Sequence, residues 1–246
     1  MCSLRVGIIA DTQYVDSEDG TTFDKKTTRR YRHSLEILKR AVSYFVEEGV
    51  ASAIHLGDVL DAKCKELDIT ARCCLEIKSV LEREASLKWN YVAGNHDLNC
   101  MGGRKRFDEN FTKLGLHDRL YYHVSYPGYV FVYLDGYEVS TLAPSSEENK
   151  QKAIALLMHN NKNDVFGSNN SWFDGLTDEQ KKYVPYNGAV SYEQLRWLET
   201  RAKQNGEGGV QETQRERHTR LLTLTHTHTH THCSQHHQAR QHRCNG

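Results

Sequence analysis

The sequence predicts an α/β domain built on a parallel sheet whose strands end, at one edge, in metal-ligand-type side chains. Three observations predict it. Apolar runs of strand length alternate with stretches of helical period over residues 4–93, giving strand-helix-strand-helix-strand. Three runs stop in polar clusters: Ala10-Asp11-Thr12-Gln13, His55-Leu56-Gly57-Asp58-Val59-Leu60-Asp61 and Gly94-Asn95-His96-Asp97. In an open parallel sheet such strand ends share one edge, and ligands bind there.

Leu4 to Ala10 reads as a buried strand, apolar on both faces. Tyr14 to Lys26, rich in Asp, Gly and Thr, reads as a loop. Tyr31, Leu35, Leu38, Val42 and Phe45 recur at helical spacing, behind Thr27 or Thr28 as cap. Ala53 to Gly57 is the second strand, and Ile69, Cys73, Ile77 and Val80 mark the second helix. Trp89 to Ala93 is the third strand. Tyr121 to Ser125 and Tyr129 to Leu134 then flank Pro127-Gly128 and form a hairpin. Residues 136–188 are polar and read as a long insertion or lid. Ser191-Tyr192-Glu193-Gln194 fits a capping box ahead of a short helix through Leu195, Leu198 and Ala202.

The 246 residues fit one large domain, taken as 1–205, followed by a low-complexity tail, 206–246. The tail's strict Thr-His alternation up to His232 is what a two-base DNA repeat encodes, and no folded role is assigned to it. Lys and Arg together number 32, as do Asp and Glu, which argues against nucleic acid as a partner. The 7 cysteines lack paired C-x-x-C spacing and fit free thiols in a reducing, cytoplasmic setting. No stretch approaches the ~20 apolar residues of a membrane span. The expectation is a cytoplasmic monomer acting on small molecules.

The chemistry follows from the ligand types. Asp11, Gln13, Asp58 and Asn95 are oxygen donors suited to Mg²⁺ or Mn²⁺, with Zn²⁺ also possible. Asp58, directly after a strand, is placed to bridge two divalent ions about 3.5–4 Å apart. Two amides among four ligands leave the ions electron-poor and attractive to a phosphate or diphosphate. Such a pair lowers the pKa of a bridging water and yields a hydroxide nucleophile. His96 would protonate the leaving oxygen, and Asp61 would accept its other ring proton. Each cluster alone is an ordinary turn, and His55 alone is a core or edge histidine; the coincidence at three strand ends carries the argument. Arg29, Arg30 and Arg32 oppose the dipole of the first long helix. They are either a solvated helix start or, through Arg29 and Arg32, a substrate-binding phosphate clamp.

Asp11-x-Gln13, Gly57-Asp58-x-x-Asp61 and Gly94-Asn95-His96-Asp97 together resemble the calcineurin-like metallophosphoesterases. Gln at the third position resembles the manganese-dependent ADP-ribose/CDP-alcohol diphosphatase branch. So do Glu18-Asp19-Gly20, Arg29-Arg30-Tyr31-Arg32-His33-Ser34 and Asn187-Gly188-Ala189-Val190-Ser191 with Gln194-Leu195-x-Trp197-Leu198. The resemblance spans about residues 4–205. It implies a four-layer αββα sandwich with two divalent metal ions. It implies hydrolysis of the diphosphate bond of ADP-ribose, CDP-choline and related nucleoside diphosphate conjugates. It assigns metals to Asp11, Gln13, Asp58 and Asn95, the transition-state role to His96, and its support to Asp61. The family's later strand-Ser-His and Gly-His-x-His segments are not found; Leu221 to Leu224 followed by His226 imitates the first, although the repeat accounts for it better. The sandwich is therefore expected to be incomplete on its C-terminal side, with apolar surface uncovered and turnover weak or absent. The alternatives are an impaired, truncated isoform, another calcineurin-like phosphomonoesterase or phosphodiesterase, or a metal-storing His tail.

Overall fold

The first apolar run becomes β1 (Val6–Ile9). The computed structural model describes residues 4–22, 25–104, 120–167, 171–207 and 220–224, with backbone alone for 204–207 and 220–224. The stretch expected to be wholly loop contains a small ribbon, β2 (Gly20–Thr21) paired antiparallel with β3 (Thr28–Arg29). That ribbon overturns the expected helix cap. Thr28 is committed to strand pairing, and α1 (Tyr31–Glu47) begins three residues later with Arg30 at the cap position and no side-chain cap. Tyr31, Leu38, Val42 and Phe45 of α1 are buried along one stripe.

β4 (Ser52–His55) is buried at all four positions. After it come α2 (Lys63–Glu66), α3 (Thr70–Leu81) and β5 (Trp89–Tyr91). β4 lies between β1 and β5 and runs parallel to both. Gly94-Asn95-His96-Asp97 proves to be the entry of a helix, α4 (Asn95–Cys100). β6 (Tyr122–Tyr126) and β7 (Tyr129–Tyr133) form the expected hairpin, with Gly128 at φ 82° supplying the left-handed turn residue.

Residues 136–188 are far more regular than a lid. They hold β8 (Val139–Ser140), the 14-residue α5 (Glu147–Asn160), a 3₁₀ turn at Gln180–Lys182, and β9 (Gly188–Ala189) paired with β8. α5 escaped the sequence pattern because its buried stripe is only Asn149, Ala153 and Leu157, one of them polar. Its start is ordinary: Ser146 Oγ accepts the Asn149 N–H, with Glu147 and Glu148 in the first turn. The last helix, α6 (Tyr192–Glu207), is longer than expected at 16 residues. β10 (Arg220–Leu224) pairs parallel with β7. Part of the segment expected to be a structureless tail is therefore a strand. The apolar Leu221-Leu222-Thr223-Leu224 stretch is strand-compatible, and the adjoining repeat masked it. The remainder of that tail, including His226, lies outside the described residues.

Side-chain alternation sorts these elements into four layers. Ala53 of β4 packs with Leu38, Val42 and Phe45 of α1 and with Cys73, Ile77 and Val80 of α3. Ile54, on the opposite face, packs with Val92 and with Phe131 and Tyr133 of the second sheet. Val130 and Val132, on the far face of β7, are covered by Trp197 and Leu198 of α6. Helices, sheet, sheet and helix thus stack in that order. Ile8, in register with Ile54 on β1, is 54 % exposed, so among the described residues none covers this edge of the inter-sheet face. Among the described residues no helix is long and apolar enough to cross a membrane.

Gln194 locks α6 to the second sheet. Ser191 Oγ caps the helix by accepting the Gln194 N–H at 3.1 Å, as the capping pattern requires. The reciprocal half of the expected box is replaced. The Gln194 amide brackets Asp135, accepting its N–H at 2.8 Å and donating to its C=O at 3.1 Å, and also donates to Glu138 at 2.6 Å. Glu138 then takes the Ser191 N–H at 3.2 Å. Gln194→Ala is expected to leave these buried partners unpaired and to cost about 3 kcal/mol. Urea unfolding checks this; a cost below about 1 kcal/mol would contradict the network.

Candidate metal centre

β1 and β4 are parallel neighbours, so the loops that leave them start side by side. Their pairing continues past the strands: Asp11 N–H donates to Gly57 O at 3.1 Å, Gln13 N–H to Asp58 O at 2.8 Å and Tyr14 N–H to Val59 O at 3.0 Å. Asp61 N–H returns to Tyr14 O at 3.0 Å. Within this zipper Asp11, Gln13 and Asp58 take left-handed backbone angles, φ 53°, 43° and 52°. That region costs a non-glycine residue on the order of 1–2 kcal/mol. Three of the four sequence-derived metal candidates therefore sit in backbone that surrounding contacts must hold in place.

Asp58 is the hub. It is fully buried, and its carboxylate accepts the His96 backbone N–H at 2.9 Å and the Gln13 side-chain amide at 3.2 Å. Gly94 passes so close that there is no room for a side chain at that position. Asn95, the first residue of α4, is buried, and its Oδ1 meets no donor among the described residues. A buried, unpartnered acceptor is the kind of group a cation satisfies. Among the described residues no three His, Cys, Asp or Glu side chains form a metal cluster. The donor set here is two carboxylates and two amides, which suits a hard cation but is short of histidine. Tyr137, also buried, faces this group: burial first, then the charges of Asp58, Asp97, Asp135 and Asp11, push its phenol up.

His96 and Asp61 do meet, with a difference from the expected arrangement. His96 Nδ1 accepts the Ala62 N–H at 3.1 Å and lies 3.4 Å from Asp61 Oδ2. One ring nitrogen cannot accept a proton and donate one at once. The shorter bond has a backbone proton of fixed position, so the neutral ring carries its hydrogen on Nε2. Asp61 pairs with Nδ1 only when the ring is protonated. Burial opposes that form, but the hydrogen bond to Asp61 and the charges of Asp58 and Asp61 outweigh it and raise the His96 pKa. Asp61 is held below the usual carboxylate range: burial opposes this, but His96, the Lys63 N–H and Arg29 prevail.

The two candidate arginines part company. Arg29 Nη1 lies 2.8 Å from Asp61 Oδ2 and so joins the site. Arg32 pairs instead with Asp16, at 2.6 Å, and with Glu18. Alternation along the ribbon separates Arg29 from Thr28 and Arg30, which line an open cleft with Arg32 and His33.

Sequence reasoning missed several residues that matter to this edge. Asp97, to which the sequence pattern gives no role of its own, is fully buried and bonded to two loops. His55 is fully buried and bonded on both ring nitrogens. Asp135 lies two residues past the end of β7 and pairs with Arg104. One signal was available for Asp135: Val130 to Leu134 is an apolar run ending in Asp135-Gly136, much like the three runs already singled out.

The family model for calcineurin-like phosphoesterases matches residues 4–245. Among curated proteins, the manganese-dependent ADP-ribose/CDP-alcohol diphosphatase of Oryza sativa subsp. japonica is 33% identical over 196 residues, covering 78% of this chain and 58% of that protein. The protein of the same name from Arabidopsis thaliana is 34% identical, covering 79% and 61%. The one from Homo sapiens is 27% identical, covering 78% and 59%. The chain thus spans about three-fifths of the length of these relatives. A solved dimetal phosphatase from Danio rerio superposes with a TM-score of 0.72 at 25% identity, covering 91% of this chain and 69% of its own.

Proposed function

The chain belongs to the calcineurin-like phosphoesterase family, and from that membership we propose that its sheet edge holds two divalent cations, Mn²⁺ foremost, and acts on nucleoside diphosphate conjugates such as ADP-ribose and CDP-choline. One observation carries the proposal. Asp11, Gln13, Asp58 and Asn95 leave three separate strands and reach one edge, where the Asn95 oxygen is buried without a donor among the described residues. The names of the relatives, manganese-dependent ADP-ribose/CDP-alcohol diphosphatases, supply the substrate class.

Asp11, Gln13, Asp58 and Asn95 are the residues that would hold the ions. When bound, such a pair lowers the pKa of water toward neutrality and neutralises charge on a phosphate. Two of the four donors are uncharged amides, so the loaded site keeps a net positive field for an anionic substrate. His96 follows Asn95 directly; in its protonated form Nδ1–H faces Asp61, and the Nε2 proton can pass to the leaving phosphate oxygen, leaving a neutral ring. Asp61 orients the charged form of that ring and holds Arg29. Arg29 offers a guanidinium to a second phosphate. Hydrolysis would add water across the P–O–P bond, giving a nucleoside monophosphate and a phosphorylated partner. The buried free thiols Cys64, Cys73, Cys74 and Cys100 favour a reducing compartment, which we take to be the cytoplasm.

A second reading is binding without turnover, favoured by a donor set in which, among the described residues, no three His, Cys, Asp or Glu side chains come together. Incubating the chain with Mn²⁺ and ADP-ribose or CDP-choline tests both. Release of AMP or CMP without inorganic phosphate supports the diphosphatase reading. Mn²⁺ uptake without product supports the second, and free phosphate from a monoester would replace both with phosphomonoesterase activity.

A further inference from the structure

We propose that His55 and Asp97 are positioning residues for this centre, each tying two of the three ligand-bearing loops together without touching the ions. The inference rests on the metal reading above and assigns these two side chains a part in it.

His55 closes β4 with its ring fully buried. Nδ1 accepts the Gly57 N–H at 3.2 Å, so the neutral ring's one hydrogen is on Nε2, which lies 2.6 Å from Thr12 Oγ1. A single tautomer thus joins the loop after β1, between Asp11 and Gln13, to the loop after β4, beside Asp58. Asp97 does the same one loop further on. Its side chain is fully buried; Oδ1 accepts the Leu60 N–H at 3.1 Å and Oδ2 the Gly94 N–H at 3.1 Å. This joins the loop after β4 to the start of α4, where Asn95 and His96 begin.

The two ties run in series, from first loop to second to third. They anchor the residues that need anchoring. Asp11, Gln13 and Asp58 hold left-handed backbone angles that a free loop would leave. His55 grips within one residue of all three of them, and Asp97 grips the residue before Asn95. Both ring nitrogens of His55 and both oxygens of Asp97 serve these bonds between loops, which fixes the orientation of each side chain. Groups behind metal ligands typically set affinity by fixing ligand orientation, and changing one commonly weakens binding about 10–100-fold.

A purely structural role would lower stability yet leave the affinity of the folded protein unchanged, so affinity is the discriminating readout. The free Mn²⁺ electron paramagnetic resonance signal is titrated with the full chain, well below each variant's melting temperature, with near-UV circular dichroism reporting the fold. Asp97→Asn keeps one acceptor oxygen and Asp97→Ala keeps none, so a graded loss is expected, about 10-fold and then about 100-fold. Thr12→Val removes the hydroxyl partner of His55 at nearly constant volume; it is the second probe if Asp97 variants fail to fold, and about 10-fold weaker binding is expected. Wild-type Mn²⁺ binding with equal binding by the folded variants would overturn the inference and leave the metal reading intact. Absence of Mn²⁺ binding by the wild-type chain would overturn both.

Discussion

Gly94→Ala is expected to lower stability by about 3 kcal/mol or more and to abolish Mn²⁺ binding in whatever folded protein remains. A Cβ at this position would lie 2.0 Å from Asp58 Oδ1 and 2.3 Å from the Asp58 backbone nitrogen. A flexible side-chain tip yields to such a contact cheaply, but a backbone atom does not. Nor is Asp58 free to retreat, since its carboxylate is held by the His96 N–H and its C=O by Gln13. Torsion plays no part: Gly94 is extended, at φ −99°, which any residue adopts. Gly49→Ala is the matching control, with φ at 60° and nothing within 4 Å of its Cβ; it should cost only about 1 kcal/mol, from backbone conformation alone. Urea unfolding of both variants decides the matter. If Gly94→Ala is no worse than Gly49→Ala, the close passage of Gly94 over Asp58 does not exist.

Asp58→Asn is expected to separate binding from folding. Asparagine matches the shape of aspartate and keeps an oxygen for the His96 N–H. The Gln13 amide, which donates to Asp58 Oδ2, can rotate to offer its own oxygen instead. Stability should change by no more than about 1 kcal/mol, because a buried negative charge is removed while its hydrogen bonds are replaced. Mn²⁺ affinity should fall by more than the roughly 100-fold upper range for a residue behind a ligand. Circular dichroism with Mn²⁺ titration measures both effects. Unchanged affinity would remove Asp58, and the shared-carboxylate centre with it, from consideration.

Legibility in the sequence followed a physical line. An apolar run ending in Ala-Asp, Gly-Asp or Gly-Asn is a local pattern, so the three parallel strands and the four oxygen-bearing side chains at their ends were readable. The hairpin about Pro127-Gly128 was readable because its turn chemistry lies within four residues. α5 was not readable, since its burial is carried by Asn149, Ala153 and Leu157 and lacks a full apolar stripe. β10 was hidden by the Thr-His repeat that follows it. Arg29 and Arg32 look alike in sequence, yet one meets Asp61 and the other Asp16 and Glu18. Strand pairing at Thr28–Arg29 and the late start of α1 made that difference.

The sequence alone determined which atoms are available for chemistry at the sheet edge, because side-chain type and position after a strand are properties of neighbouring residues. Only the tertiary structure decided how those atoms are held. The bonds from Thr12 to His55 and from Leu60 to Asp97 span 43 and 37 residues. Nothing beside Asp97 in the chain distinguishes it from a solvated turn acid. It becomes a fastening only when folding removes its water and brings the Leu60 and Gly94 N–H groups to its two oxygens.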